Sequence, residues 1–260
     1  MATGAQARTG EVMFKLRFAL AAVAALGACA TAETAPAPVS APAVSTQPTH
    51  PATPERNPAV QVDATVFLPP PPAANGALES AEREIVRGPW SEARRAQALE
   101  DNAIDPFAAF DSVLDPRFNS AALPATTAVL ARAGRAAGYA GDPAKFLHQR
   151  ARPFLSDNAI TPCIPNDERL RASFSYPSGH AALGFGWALV LAELIASRAD
   201  AIIERGRDFG WSRVVCGVHY PSDIDAGRTV AAAAIARLHA DPEFQREMVA
   251  ARAELAAIYP

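Results

Sequence analysis

The chain has 260 residues, half of them hydrophobic, a net charge of −3 and a sequence pI near 6.0. That length accommodates one folded domain with flanking segments, since domains run to roughly 100–200 residues. The slightly acidic balance excludes the basic stripe of a nucleic-acid-binding protein. Abundant alanine with only 7% aromatic residues favours helix over sheet.

Residues 1–29 read as an export segment. From Met13, taken as its start, the chain runs MFKLRFALAAVAALGAC, with Lys15 and Arg17 ahead of an apolar run from Phe18 to Ala28. A positive start and a short apolar stretch mark a secretory signal. The run is shorter than the about 20 residues of a membrane span. Its end, Leu26-Gly27-Ala28-Cys29, resembles the lipobox of bacterial lipoproteins, with Cys29 as the lipidated residue and hence a lipid anchor to a membrane. Cleavage without lipidation, at Ala28-Cys29-Ala30 or Ala30-Thr31-Ala32, is the alternative. Both readings place the mature protein in the periplasm, free or anchored at the outer membrane facing it. Cys163 and Cys216 then remain, and a pair in an oxidising compartment reads as a disulfide. Two buried thiols are the other reading.

Residues 30–64 are rich in Ala, Pro, Thr and Ser. Such a segment buries too little apolar area to offset its ordering entropy and reads as a disordered tether. The folded domain is expected over residues 65–260, beginning at the VFLPPPPAANG stretch. A helix through ANGALESAEREIVR stops at Gly88-Pro89, and a second, from Ser91, runs to Pro106. Two more lie between Leu123 and Phe154, separated near Gly141-Asp142-Pro143, with Asp142 as cap and Pro143 at the first helical position. The segments GHAALGFGWALVLAEL and DAGRTVAAAAIARL are apolar nearly all round, which places them in the core. A last helix opens at Asp241-Pro242. With no alternating strand pattern, the fold class is all-α, a single-domain helical bundle.

Three motifs carry chemistry. In KFLHQRARPF, Lys145 and Arg152 are seven positions apart, which on one continuous helix puts both on the same face, with Arg152 near its end because Pro153 follows. In SYPSGHAAL, Ser178 caps a helix, Gly179 lets the backbone approach a ligand and His180 projects from the first turn. A helix N-terminus offers unpaired N–H groups and a positive dipole end, which suit phosphate. In SRVVCGVHYPSDIDAG, His219 and Asp223 meet if the turn between them is helical. The carboxylate then fixes the imidazole tautomer and leaves the other nitrogen as a lone pair.

In this order and spacing the three motifs match the signature of the type-2 phosphatidic acid phosphatase and vanadium haloperoxidase superfamily. Within it the chain is similar to the class A bacterial nonspecific acid phosphatases, from about Val66 to the C-terminus. The resemblance implies a helical fold of that type and a phosphomonoester hydrolase. It also implies that Lys145, Arg152 and Arg213 bind phosphate oxygens together with Ser178 and Gly179. His219 would be the nucleophile that becomes a phosphohistidine, Asp223 its orienting partner, and His180 the general acid. That class usually carries Gly and Thr where this chain has Phe174 and Ala181.

No cofactor is expected, and the histidines and carboxylates show no zinc-type spacing. The expected ligands are small phosphomonoesters, with inorganic phosphate or vanadate in the same pocket; self-association into a homo-oligomer is expected, and nucleic acid is not. A protonated His180 implies best activity below neutrality. Phosphate transfer to a second alcohol is an expected side reaction. The rival readings are a lipid or diphosphate phosphatase of the same superfamily, a haloperoxidase, and a non-catalytic lipid-anchored oxyanion-binding envelope protein.

Overall fold

The computed structural model describes residues 62–260, so the export segment, Cys29 and most of the tether lie outside the described residues. The expected boundary at residue 65 falls inside the first helix, where Asp63 caps and Ala64 is already fully buried. Among the described residues there are twelve α-helices and no strand. They are α1 (Ala64–Phe67), α2 (Ala77–Arg87), α3 (Glu92–Glu100), α4 (Pro106–Phe110), α5 (Pro124–Ala140) and α6 (Asp142–His148), then α7 (Pro153–Ser156), α8 (Glu168–Ala172), α9 (Gly179–Leu194), α10 (Ala199–Val215), α11 (Pro221–Leu238) and α12 (Pro242–Leu255).

Local chemistry sets most of these ends. Ser91 caps α3 through Arg94 N–H, Asp105 caps α4 ahead of Pro106, and Asp241 caps α12 ahead of Pro242. A proline in the first turn gives up a backbone N–H that has no partner there in any case. Two boundaries differ from expectation. Helix α3 ends at Glu100, because the following Asp101 side chain is drawn into the core by Arg205 and Ser212. Gly141, not Asp142, is the cap residue of α6.

Helix α9 is the axis of the bundle and packs against α5, α10 and α11. Being apolar on every side, it needs neighbours all round, and its buried residues include Ala182, Gly186, Trp187, Val190 and Leu191. Gly184 lets α10 approach: a Cβ there would lie 2.1 Å from the Phe209 ring. The main core joins Phe110, Leu130, Trp187, Leu191, Phe209 and Phe244, and each such side chain contributes about 1.5–3 kcal/mol on burial. Trp187 donates its indole N–H to the Leu130 carbonyl at 3.0 Å, so the one polar atom of that ring is satisfied.

A second cluster lies at the N-terminal end of α9, built on Val214, Val215, Cys216, Val218, Tyr220 and Ile224. Cys163 and Cys216 are joined there in a disulfide across 53 positions of sequence. The bridge, with the Cys163 N–H to Cys216 carbonyl bond at 3.0 Å, ties the segment before α8 to the end of α10. No helix among the described residues is long and apolar enough to cross a membrane.

Candidate active site

The three sequence motifs converge where α9 begins, α10 ends and α11 begins. Ser178 is the α9 cap: its Oγ accepts from Ala181 N–H at 3.2 Å, and its own N–H donates to the Asp223 carbonyl at 2.9 Å. Capping by Ser178 leaves the N–H groups of Gly179 and His180 as the helix's unpaired donors. Gly179 has a packing reason beyond the one expected. A Cβ at that position would meet the Gly138 carbonyl of α5 at 2.9 Å, so only glycine lets the start of α9 seat against α5.

Lys145 and Arg152 do reach the same place, but not from one helix. Helix α6 stops at His148, Gln149 takes a left-handed conformation (φ 47°), and Arg152 is the extended residue ahead of Pro153 in α7. Left-handed Gln149 ends α6, and Pro153 keeps Arg152 itself out of helical geometry. Lys145 Nζ donates to the Pro177 carbonyl and, at 3.4 Å, to that of Phe174. Arg152 is buried and held by neutral acceptors, the Ser173 carbonyl and hydroxyl and the Val218 carbonyl at 2.8 Å. Arg213, also buried, donates to the Asn102 side-chain oxygen at 2.9 Å, and its Nε has no partner among the described residues.

These cations repel one another and are costly to bury. Burial and Arg152 push Lys145 down to about 8, burial pushes Arg152 down to about 10, and burial and Arg152 push Arg213 down to about 10. Three positive groups turned into one desolvated place form a site for an anion. Among the described residues no three His, Cys, Asp or Glu side chains gather as metal ligands.

His219 is buried at the same place, with Nε2 3.1 Å from Arg152 Nη1 and Nδ1 3.3 Å from Asp223 Oδ2. The contact to Asp223 is not the i, i+4 helical pair expected, because His219 precedes α11. Asp223 sits in the first turn of α11 and reaches back over its start, accepting from Tyr220 N–H at 2.8 Å. Its remaining bonds come from Ser175 Oγ and, at 2.7 Å, from Arg150. Complete burial pushes its carboxyl up, but the His219 hydrogen bond first, then the Arg150 charge and Ser175, hold it down to about 2. On His219, Asp223 favours the charged ring, but burial and the Arg152 charge win and the imidazole is held well below its ordinary range.

His180 is half-buried and stacks on Phe209 with ring centroids 4.6 Å apart. Its Nε2 lies 2.7 Å from the Asp101 carbonyl, so that nitrogen carries a proton. Burial and Arg213 push the ring down to about 3. The side chains around it therefore favour neutral His180, whereas the general-acid role called for a protonated ring.

Sequence reading missed several members of this site. Arg150 and Ser175 lie within stretches already singled out and Ser173 just ahead of one, but their partners are distant. Asp101 and Asn102, just past α3, hold His180 and Arg213, and no local pattern marks them. Phe174 stands with its ring edge-on to Phe146 at 6.2 Å, beside Lys145. Ala181 is fully buried against α10 and α11, where Gly210 and Gly227 make room for its methyl.

The PAP2 superfamily model matches residues 124–246, a span that contains Lys145 through Asp223. The non-specific acid phosphatase of Salmonella typhimurium is 38% identical over 210 residues, covering 78% of this chain and 84% of the relative. That of Providencia stuartii is 35% identical over 204 residues, 76% of this chain and 82% of the relative. An acid phosphatase of Zymomonas mobilis is 35% identical over 201 residues, with 74% and 75% covered. Identity sustained over most of both chains, together with a superfamily match that spans Lys145 to Asp223, means that this chain belongs to the PAP2 superfamily, in the family of the non-specific acid phosphatases.

Proposed function

We propose that the protein is an acid phosphatase that hydrolyses phosphate monoesters through a phosphohistidine on His219, without a metal ion. The observation that carries this reading is the gathering of half-buried Lys145 and buried Arg152 and Arg213 about His219, whose bare Nε2 lies 3.1 Å from Arg152. Phosphoryl transfer spreads charge over three equatorial oxygens, so catalysis is mostly positioning and electrostatics. The three cations, with the Gly179 and His180 N–H groups and the Ser178 hydroxyl, supply that field and stand in for a metal clamp.

His219 Nε2 attacks phosphorus while the bond to the leaving oxygen breaks. Its Nδ1–H stays with Asp223, which stabilises the ring as it gains the phosphoryl group. His180 gives a proton to the leaving alkoxide. Since Nε2 of His180 is committed to the Asp101 carbonyl, that proton is carried on Nδ1. A phosphate dianion beside Arg213 offsets the repulsion that keeps His180 neutral, so the acid forms as substrate binds, and acidic solution favours it. Water then attacks phosphorus, gives its proton to His180 Nδ1, and the P–N bond breaks. A second alcohol in place of that water gives phosphate transfer.

Export fits the same reading, supported by the Lys15/Arg17-led apolar run and by a disulfide suited to an oxidising compartment. The test is turnover of p-nitrophenyl phosphate at acid pH with a chelator present, and base-stable labelling from a radiolabelled ester. His219→Ala should lose both turnover and label. Label retained in that variant, or wild-type turnover abolished by the chelator, overturns the reading.

A further inference from the structure

Arg150 is a buried cation that the steps above do not use. It lies two residues before Arg152, yet it points away from the phosphate-binding side and makes its bonds with carboxylates. Nη1 donates to Asp223 Oδ1 at 2.7 Å and to the Ser222 hydroxyl at 2.8 Å, and Nη2 donates to Glu82 Oε2 at 2.9 Å. The guanidinium lies over the Tyr220 ring, 3.9 Å from its centroid. Glu79 is the next carboxylate out, at 3.8 Å. The Arg150 carbonyl accepts from Ser175 N–H at 2.8 Å, and Ser175 Oγ in turn donates to Asp223. Glu82, on α2, also accepts from Ser222 N–H at 2.7 Å, which anchors it against the start of α11.

Asp223 has two effects on His219 that pull against each other. Its bond to Nδ1 holds the ring and exposes the Nε2 lone pair. Its negative charge, at the same distance, favours a second proton on the ring, and an imidazolium has no lone pair with which to attack. We propose that Arg150 is a positioning residue that neutralises Asp223, so that the carboxylate orients His219 without protonating it. The inference rests on His219 being the nucleophile. Glu82 sets the strength of the effect, because it competes with Asp223 for the same guanidinium.

The other charged groups facing His219 are Arg152 and Lys145, both of which oppose its protonation, with Arg213 beyond Arg152. Of these cations Arg150 alone hydrogen-bonds to the Asp223 carboxylate. The low carboxyl of Asp223, with Arg150 among its causes, agrees with this.

The test is the pH profile of kcat/KM and of phosphoenzyme formation in the full chain. In Arg150→Met the acidic limb, set by deprotonation of His219, should move up by about one pH unit or more. Arg150→Lys should recover part of that shift. The inhibition constant for inorganic phosphate, measured above the limb, should change less than threefold, since Arg150 does not face the phosphate. Should Arg150→Met fail to fold, Glu82→Gln gives the opposite sign: Arg150 is then left wholly to Asp223, and the limb should move down. A uniform loss of activity with the limb in place, in either variant, makes Arg150 merely structural and overturns the inference. Absence of any phosphoenzyme in the wild-type protein would instead overturn the nucleophile, a separate failure.

Discussion

Arg152 Nη1 stands 3.1 Å from His219 Nε2, and a guanidinium donates but never accepts. Nε2 is therefore the bare nitrogen of the ring and Nδ1, facing Asp223, the protonated one. One residue thus fixes the tautomer and lowers the basicity of His219, and in the proposed mechanism it also presents positive charge to the phosphoryl group.

Arg152→Lys keeps the charge and loses the fork that reaches Ser173, Val218 and His219 at once. Two or more bonds to a charged group are lost, so kcat/KM should fall about tenfold to a hundredfold. The check is steady-state kinetics on p-nitrophenyl phosphate with circular dichroism as the folding control. A fall below twofold would mean that the fork adds nothing beyond its charge.

His180→Ala removes the proposed proton donor. General-acid removal costs about 10²–10⁴ in rate where the leaving group is a poor one. Turnover of an alkyl phosphate should fall by that much, and turnover of p-nitrophenyl phosphate, whose leaving group departs without help, should fall far less. Equal losses across a series of leaving groups would remove the donor role. The nearby Phe209 ring stacks on His180, so thermal unfolding of the variant is measured alongside to separate lost packing from lost chemistry.

Lys145, pushed down to about 8, should give phosphate affinity a pH dependence on the alkaline side. The cation is present below that value and is lost as pH rises through it. Competitive inhibition by phosphate should weaken by up to about tenfold per unit above pH 8, the limit for one proton. Lys145→Arg carries a charge that does not titrate in this range and should flatten the dependence between pH 7 and 10. A wild-type profile already flat there would mean that Lys145 stays protonated or does not bind phosphate.

The amino-acid sequence determined by itself those features that a few neighbouring residues decide. Ser178 and Asp241 cap because the N–H groups they accept from are two or three residues away, and α9 lies in the core because it is apolar on every side. The order and spacing of the Lys145, Ser178 and His219 motifs were enough, through resemblance, to point to the family of the non-specific acid phosphatases. Only the tertiary structure decided the electrostatic balance. Lys145 reaches the site from α6 and Arg152 from the extended residue ahead of α7, because the chain leaves the helix at Gln149 and breaks the face that spacing suggested. Arg150 pairs with Asp223 and Glu82 at separations of 73 and 68 positions, and Asn102 meets Arg213 at 111. Which way each histidine is pushed depends on burial and on those distant charges, and neither is a local property of the chain. Burial opposes protonation of His219 and His180 alike, and only the fold shows that it outweighs the carboxylate beside one of them.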